Sequence, residues 1–356
     1  MTFGDGSKRQ GAFALASRGL TPGKLRGLQR IGNPTGTLTM LALDQNNSVV
    51  DMAGNALKRA GEDRAPTYEE VVEVKLALTR GLATAASAVL LDPYYGAWSA
   101  VASGAVPPQT GLLVRLERTR YQMSAKGAPL ATMEPGFGVE KAKLMGADGV
   151  KLLVQFEPSE PESADANFAL VQQVYEECRR RDLLLLLETL GFPLPGETKK
   201  DESYLDRKAE TVVETARILS RYCDVYKAEF PGTLDRHSDQ SLEDALHALD
   251  GVSERPWVLL SAGVDFEHYL AQVEMALAAG ASGVLGGRAF WKEYFDQDDA
   301  DSRARFLEEV GRKRIERVDE LVRSEGSPWF ARYGFSAEEL AGTRAVEGWH
   351  HRYPTA

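Results

Sequence analysis

The chain has 356 residues, 43% of them hydrophobic and 26% charged, a mixture that supports a sizeable globular core and excludes a largely disordered polypeptide. Its 42 Lys and Arg against 52 Asp and Glu leave a formal net charge of −10, which repels nucleic acid and anionic membrane surfaces, so an anionic ligand requires a local cluster of positive groups. No run approaches the ~18 consecutive apolar residues of a membrane span.

In chain order, the N-terminal stretch carries Lys8, Arg9, Arg18, Lys24 and Arg26, but the apolar run between them, residues 12–16, is too short for a secretory signal. Residues 1–36 read as an extension holding a short helix, Pro22–Ile31, placed to plug the N-terminal mouth of a barrel. Eight apolar runs then follow, at residues 37–44, 88–92, 111–117, 149–156, 183–189, 225–231, 257–263 and 283–290. Stretches of helical spacing lie between them at 68–85, 164–181, 206–221, 242–249 and 266–279, the alternation expected of βα repeats around a parallel sheet. The run from Leu183 to Leu187 is apolar at every position, as in strands whose outer face packs under helices and whose inner face fills a barrel. An open doubly wound sheet would carry a glycine fingerprint after its first strand, where this chain has Asp44, Gln45, Asn46 and Asn47. Residues 301–324 read as a closing helix. The tail, 326–356, holds Trp329, Phe330, Tyr333, Phe335, Trp349 and Tyr353, aromatics expected to dock on this chain or on a partner subunit. The expected architecture is α/β, one (β/α)8 barrel over residues 37–325. Cys178 and Cys223 lack metal-ligand or Cys-x-x-Cys spacing and suit a reducing compartment, so a cytoplasmic location is expected.

Barrels of this kind place their chemistry at the C-terminal ends of the strands. There the sequence puts Asp44 and Gln45 on the first strand, Asp92 on the second, Glu117 on the third, Lys151 within the fourth and Glu188 on the fifth. Lys227 and Glu229 fall within the sixth, Ser261 and Gly263 close the seventh, and Gly286, Gly287 and Arg288 lie in the eighth. A lone strand lysine is commonly an edge or snorkelling residue. Two are harder to dismiss, because burying an ammonium without partners costs several kcal/mol and alternate strands feed the same interior layer. A neighbouring ammonium and partial desolvation each lower a lysine's pKa from about 10.4 toward the neutral, nucleophilic form that Schiff-base chemistry uses. Glu188 and Glu117 are candidates for proton transfer, or simply partners for Lys151 and Lys227. Glu229, two residues beyond Lys227, points to the same face, where it could orient the amine. Asp92, followed by Pro93, reads as capping the next helix. Ser261-Ala262-Gly263 and Gly286-Gly287-Arg288 sit where barrels frequently bind phosphate, with an arginine to fork onto its oxygens, although glycines there also serve as turn residues. His237, His247, His268, His350 and His351 avoid the strands and form no ligand motif, so neither a metal nor another cofactor is expected.

These residues carry a resemblance. The segments Leu43-Asp44-Gln45, Leu91-Asp92-Pro93 with Tyr95-Gly96, Gly146-Ala147-Asp148-Gly149-Val150-Lys151 and Leu187-Glu188 occur in order, followed by Val225-Tyr226-Lys227-Ala228-Glu229-Phe230-Pro231, Leu260-Ser261-Ala262-Gly263-Val264 and Gly287-Arg288-Ala289. Over roughly residues 36–325 the chain resembles the class I tagatose 1,6-bisphosphate aldolase family. The resemblance implies a metal-independent carbon–carbon lyase of carbohydrate metabolism. It would cleave a ketohexose 1,6-bisphosphate reversibly to dihydroxyacetone phosphate and glyceraldehyde 3-phosphate. It also implies Lys227 as the Schiff-base residue, Lys151 as a second active-site lysine and Glu188 as acid/base. Asp44, Gln45 and Glu117 would surround the substrate, and Ser261, Gly263, Gly287 and Arg288 would bind the donor phosphate.

One departure bears on the substrate. The family continues Asp-Gln with Arg-Gly, whereas this chain has Asn46-Asn47 and so lacks an arginine at the mouth of the site. A deoxy, keto or sulfonated sugar phosphate, such as 6-deoxy-6-sulfofructose 1-phosphate, therefore stands as an alternative substrate. A non-catalytic phosphosugar sensor is the alternative of another class; Lys227, Lys151 and Glu188 argue against it, because binding alone needs no desolvated amine. The expected partner is a small-molecule sugar phosphate, with a homo-oligomer left open.

Overall fold

The computed structural model describes residues 15–345 and 347–351; Lys8, Arg9, residues 12–14 of the apolar run and Tyr353 lie outside the described residues. Eight strands, β1 (Leu38–Leu43), β2 (Ala88–Leu91), β3 (Gly111–Arg115), β4 (Gly149–Gln155), β5 (Leu184–Leu190), β6 (Val225–Ala228), β7 (Trp257–Leu260) and β8 (Gly283–Gly286), pair in parallel in chain order, and β8 closes on β1. All eight predicted runs thus become strands, most of them trimmed at the C-terminal end, while the fifth runs one residue further to Leu190. Pro231 can donate no ladder hydrogen bond, Ala262 and Gly263 take left-handed φ values of 47° and 78°, and Gly287 opens a short helix, Arg288–Trp291.

The closed sheet divides apolar side chains between two cores. Outward residues such as Leu41, Val89, Val114, Val150, Leu185 and Tyr226 pack under the surrounding helices. Inward residues of the lower barrel, among them Met40, Leu90, Leu113, Leu186, Val258 and Leu285, form a separate dry cluster. That cluster is continuous with Leu28 and Ile31 of the helix Pro22–Ile31 and with Trp329 and Tyr333. The helix fits because Gly27 presses on β5, where an added Cβ would lie 2.8 Å from the Leu184 side chain. Buried Lys24 pairs with Asp224 through both carboxylate oxygens at 2.7 and 2.8 Å, and the Tyr333 hydroxyl donates to the Asp224 carbonyl at 3.1 Å.

Strand register sets the upper half. Lys227 on β6 pairs with Glu188 on β5, Glu188 pairs with Leu153 on β4, and Lys151, two residues before Leu153, pairs with Arg115 on β3. Residues paired across strands share a face, as do residues two apart, so all four charged side chains point into the barrel above the dry cluster. Three features departed from the sequence expectation. The β3–β4 connection contains a hairpin, Gln122–Met123 with Pro129–Leu130, whose two-residue strands are too short to leave a periodic signal. The helix Asn47–Arg59 follows β1, and the closing segment is split into Ala300–Phe306, a π turn at Leu307–Gly311, and Arg312–Glu325. Among the described residues no helix is long and apolar enough to cross a membrane.

Candidate active site

A cavity of about 260 Å³ opens at the C-terminal ends of the strands, with Lys151 and Lys227 among its lining residues. Lys151 is 2% exposed, and its Nζ lies 3.0 Å from Asp44 Oδ2, 2.7 Å from Glu117 Oε1 and 2.9 Å from Glu188 Oε2. Burial alone would lower its pKa, but the three carboxylates outweigh burial and hold it well above the usual lysine range. Lys151 is therefore a fixed cation. Lys227 Nζ lies 3.0 Å from the same Glu188 oxygen, so one carboxylate oxygen bridges the two amines. The lysines are neighbours, as their alternate strands suggested, but through Glu188 rather than in direct contact, because the carboxylates compensate the charge between them.

The carboxylates divide. Burial favours the neutral acid at Asp44 and Glu188, yet Lys151 and Lys227 overcome it and keep both below the ordinary carboxylate range. At Glu117 burial wins over Lys151 and Arg115, and its pKa is raised. Its second oxygen accepts the Leu153 N–H at 2.9 Å, which anchors it to β4.

Two further buried cations, neither singled out by sequence, brace this cluster. Arg115 donates from Nη1 to the Asp44 carbonyl at 2.8 Å, and its Nη2 lies 3.5 Å from Glu134. Lys75 pairs with Asp92 and donates to Asn46 Oδ1 at 2.9 Å and to the Leu43 carbonyl at 2.8 Å. Asp92 also accepts the N–H groups of Tyr94 and Tyr95 at 2.9 and 2.7 Å, so it shapes the turn after β2. Asn46 is thus engaged with Lys75, while Asn47 is exposed at the start of its helix. Glu229 lines the cavity, but its carboxylate is held by Lys208 at 3.0 Å and by the Gly191 N–H at 3.2 Å, not by Lys227.

On the β7 and β8 side, the Gly287 N–H donates to Ser261 Oγ at 3.1 Å, so this amide, expected to face a phosphate, is already engaged. The Arg288 guanidinium lies over Gly263, where an added Cβ would come within 3.0 Å of it. Gln45 packs its amide nitrogen against Gly287 and leaves Oε1 buried without a hydrogen-bond partner. Lys199, from the loop after β5, also lines the cavity; a lysine in an irregular loop leaves no periodic signal. Among the described residues, no three or more His, Cys, Asp or Glu side chains gather to hold a metal ion, and Asp44, Glu117 and Glu188 gather on an ammonium instead.

The family model described as DeoC/LacD family aldolase matches residues 38–293. A tagatose 1,6-diphosphate aldolase of Listeria monocytogenes is 29% identical over 335 residues, covering 88% of this chain and 96% of that protein. One from Staphylococcus epidermidis is 27% identical over 327 residues, covering 86% and 97%. Among solved structures, the fructose-bisphosphate aldolase of Plasmodium falciparum superposes with a TM-score of 0.62 at 12% identity, covering 89% of this chain and 96% of that one. An archaeal fructose 1,6-bisphosphate aldolase gives 0.53 at 19% identity, covering 85% and 99%. Both share the barrel fold.

Proposed function

Because the chain belongs to the DeoC/LacD family of aldolases, and is a carbon–carbon lyase, we propose that it reversibly cleaves a ketose 1,6-bisphosphate of the tagatose or fructose type through a Schiff base on Lys227. The observation that carries this reading is the single Glu188 oxygen shared by Lys227 and Lys151 in the wall of the cavity. It sets a nucleophile beside a proton carrier whose charge state is biased by a fixed cation, the arrangement imine chemistry requires.

In this mechanism Glu188 takes a proton from Lys227 Nζ, 3.0 Å away, and the freed amine adds to the C2 carbonyl, giving a carbinolamine. Glu188 then returns that proton to the carbinolamine oxygen, water leaves and an iminium forms. A carboxylate takes the C4 hydroxyl proton, the C3–C4 bond breaks, and its electron pair flows into the iminium to give an enamine. Glyceraldehyde 3-phosphate departs as the aldehyde. Protonation of the enamine at C3 and hydrolysis of the imine release dihydroxyacetone phosphate and return the amine. Lys151 stays cationic throughout and steadies negative charge near the reacting oxygen, while Asp44, Gln45 and Glu117 orient the sugar. Ser261, Gly263, Gly287 and Arg288 take the donor phosphate; their shared place in the cavity wall and the forked guanidinium over Gly263 support this assignment.

Borohydride reduction in the presence of dihydroxyacetone phosphate tests the reading, with peptide mapping by mass spectrometry. The expected label sits on the Lys227 peptide and is lost in Lys227→Met. Label on the Lys151 peptide would reverse the two roles, and an active enzyme that takes up no label would refute the Schiff base.

A further inference from the structure

Two cations in the cavity wall, Arg288 and Lys199, have no carboxylate partner among the described residues. Elsewhere on that rim the acids are spoken for. Glu197 pairs with Arg207 at 2.5 Å, Glu157 approaches the same guanidinium at 3.4 Å, and Glu229 is held by Lys208 at 3.0 Å. In a chain of net charge −10, two unpaired cations facing one small cavity are a counter-charge in search of an anion at each end.

Strand order separates them. Lys199 follows β5, Arg288 follows β8, and Lys227 stands on β6 between. A ketose bound with its C2 carbonyl at Lys227 and its C1 phosphate toward Arg288 extends its remaining carbons away from β8. We infer that Lys199 holds an anionic group, phosphate or sulfonate, at the far end of the sugar, so that the cavity selects ketoses charged at both termini. This deepens the aldolase reading and rests on its placement of C2 at Lys227. It also accounts for Asn46 and Asn47, since a cation from the β5 loop replaces the arginine missing after β1, where Asn46 is committed to Lys75.

The test compares wild type, Lys199→Ala and Lys199→Arg on tagatose 1,6-bisphosphate and tagatose 1-phosphate by kcat/KM. It adds Kd for both sugars on Lys227→Met, with and without Lys199→Ala, where no turnover intervenes. Wild type should favour the bisphosphate by roughly tenfold or more, as one charge-assisted hydrogen bond allows. Lys199→Ala should erase most of that preference through KM, and Lys199→Arg should retain it. A 6-sulfonated ketose 1-phosphate assayed alongside identifies the anion, and discrimination by either anion against the uncharged end upholds the site. A preference that survives Lys199→Ala, or that wild type lacks, overturns the inference. Failure of the aldolase reading looks different: the Kd values still discriminate, but neither sugar is cleaved.

Discussion

Replacing Lys151 with Met removes the ammonium that three buried carboxylates share. Breaking a buried ion pair by deleting one partner costs about 3–5 kcal/mol, because the other charge stays buried. With an unfolding entropy of ~2.1 cal/mol/K per residue, that loss lowers the melting temperature by about 4–7 °C at neutral pH. The pH dependence is more telling. In the wild type Asp44 and Glu188 have depressed folded pKa values, so their contribution is present above the unfolded value of about 4 and is lost as pH falls through the depressed folded values. Lys151, raised in the folded state, contributes fully below its unfolded value of about 10.4 and so stays constant over this window. In Lys151→Met burial wins at the carboxylates, their folded pKa values rise above about 4, and stability falls as pH increases through them. The stability gap between the two proteins should therefore widen from about pH 4 to pH 7. Urea unfolding followed by circular dichroism at several pH values measures it, and borohydride trapping on the same variant should still label Lys227, more slowly. A gap that is flat with pH, or absent, would show that the carboxylates do not depend on Lys151.

Three further outcomes are expected. Arg288→Ala should raise KM for every substrate bearing the donor phosphate, by a factor reflecting about 1.5–3 kcal/mol for a charged hydrogen bond, with kcat less affected; steady-state kinetics in which both constants stay put would remove Arg288 from the site. Trp329→Ala, at a side chain 3% exposed in the lower core, should destabilise by about 3–5 kcal/mol without changing KM. Truncation after Ser324 should do the same or more, and a truncated chain that melts like the full one would mean that the tail contributes nothing.

Much of the site was legible because a charge inside an apolar strand is too costly to be incidental. Lys151, Lys227, Glu188, Asp44 and Glu117 stand out on that ground from their positions within or at the ends of the apolar runs. Arg115 meets the same criterion, yet its partners are the carbonyl of Asp44, just past β1, and Glu134 on a loop, contacts that only the folded barrel creates. Lys75 lies on a helix, where a lysine normally faces water; the neighbouring end of β2 brings it to Asp92. Glu229 follows Lys227 at the spacing of one strand face, but β6 ends at Ala228, and the side chain is taken by Lys208. The eight strands were legible because their mostly apolar runs recur with helical stretches between them, whereas the two-residue strands of the hairpin after β3 have no burial pattern to betray them.

The carboxylate and carbonyl of Asp224 tie together three stretches far apart in the chain: Lys24 near its beginning, the strand junction at Leu185, and Tyr333 beyond the last strand. Because residues 329–333 follow all eight strands in the chain, the apolar cluster holding Leu28, Ile31 and Leu38 gains Trp329 and Tyr333 only after every strand has been synthesised. Until then those apolar side chains, rather than the charged pocket, are the part most prone to association.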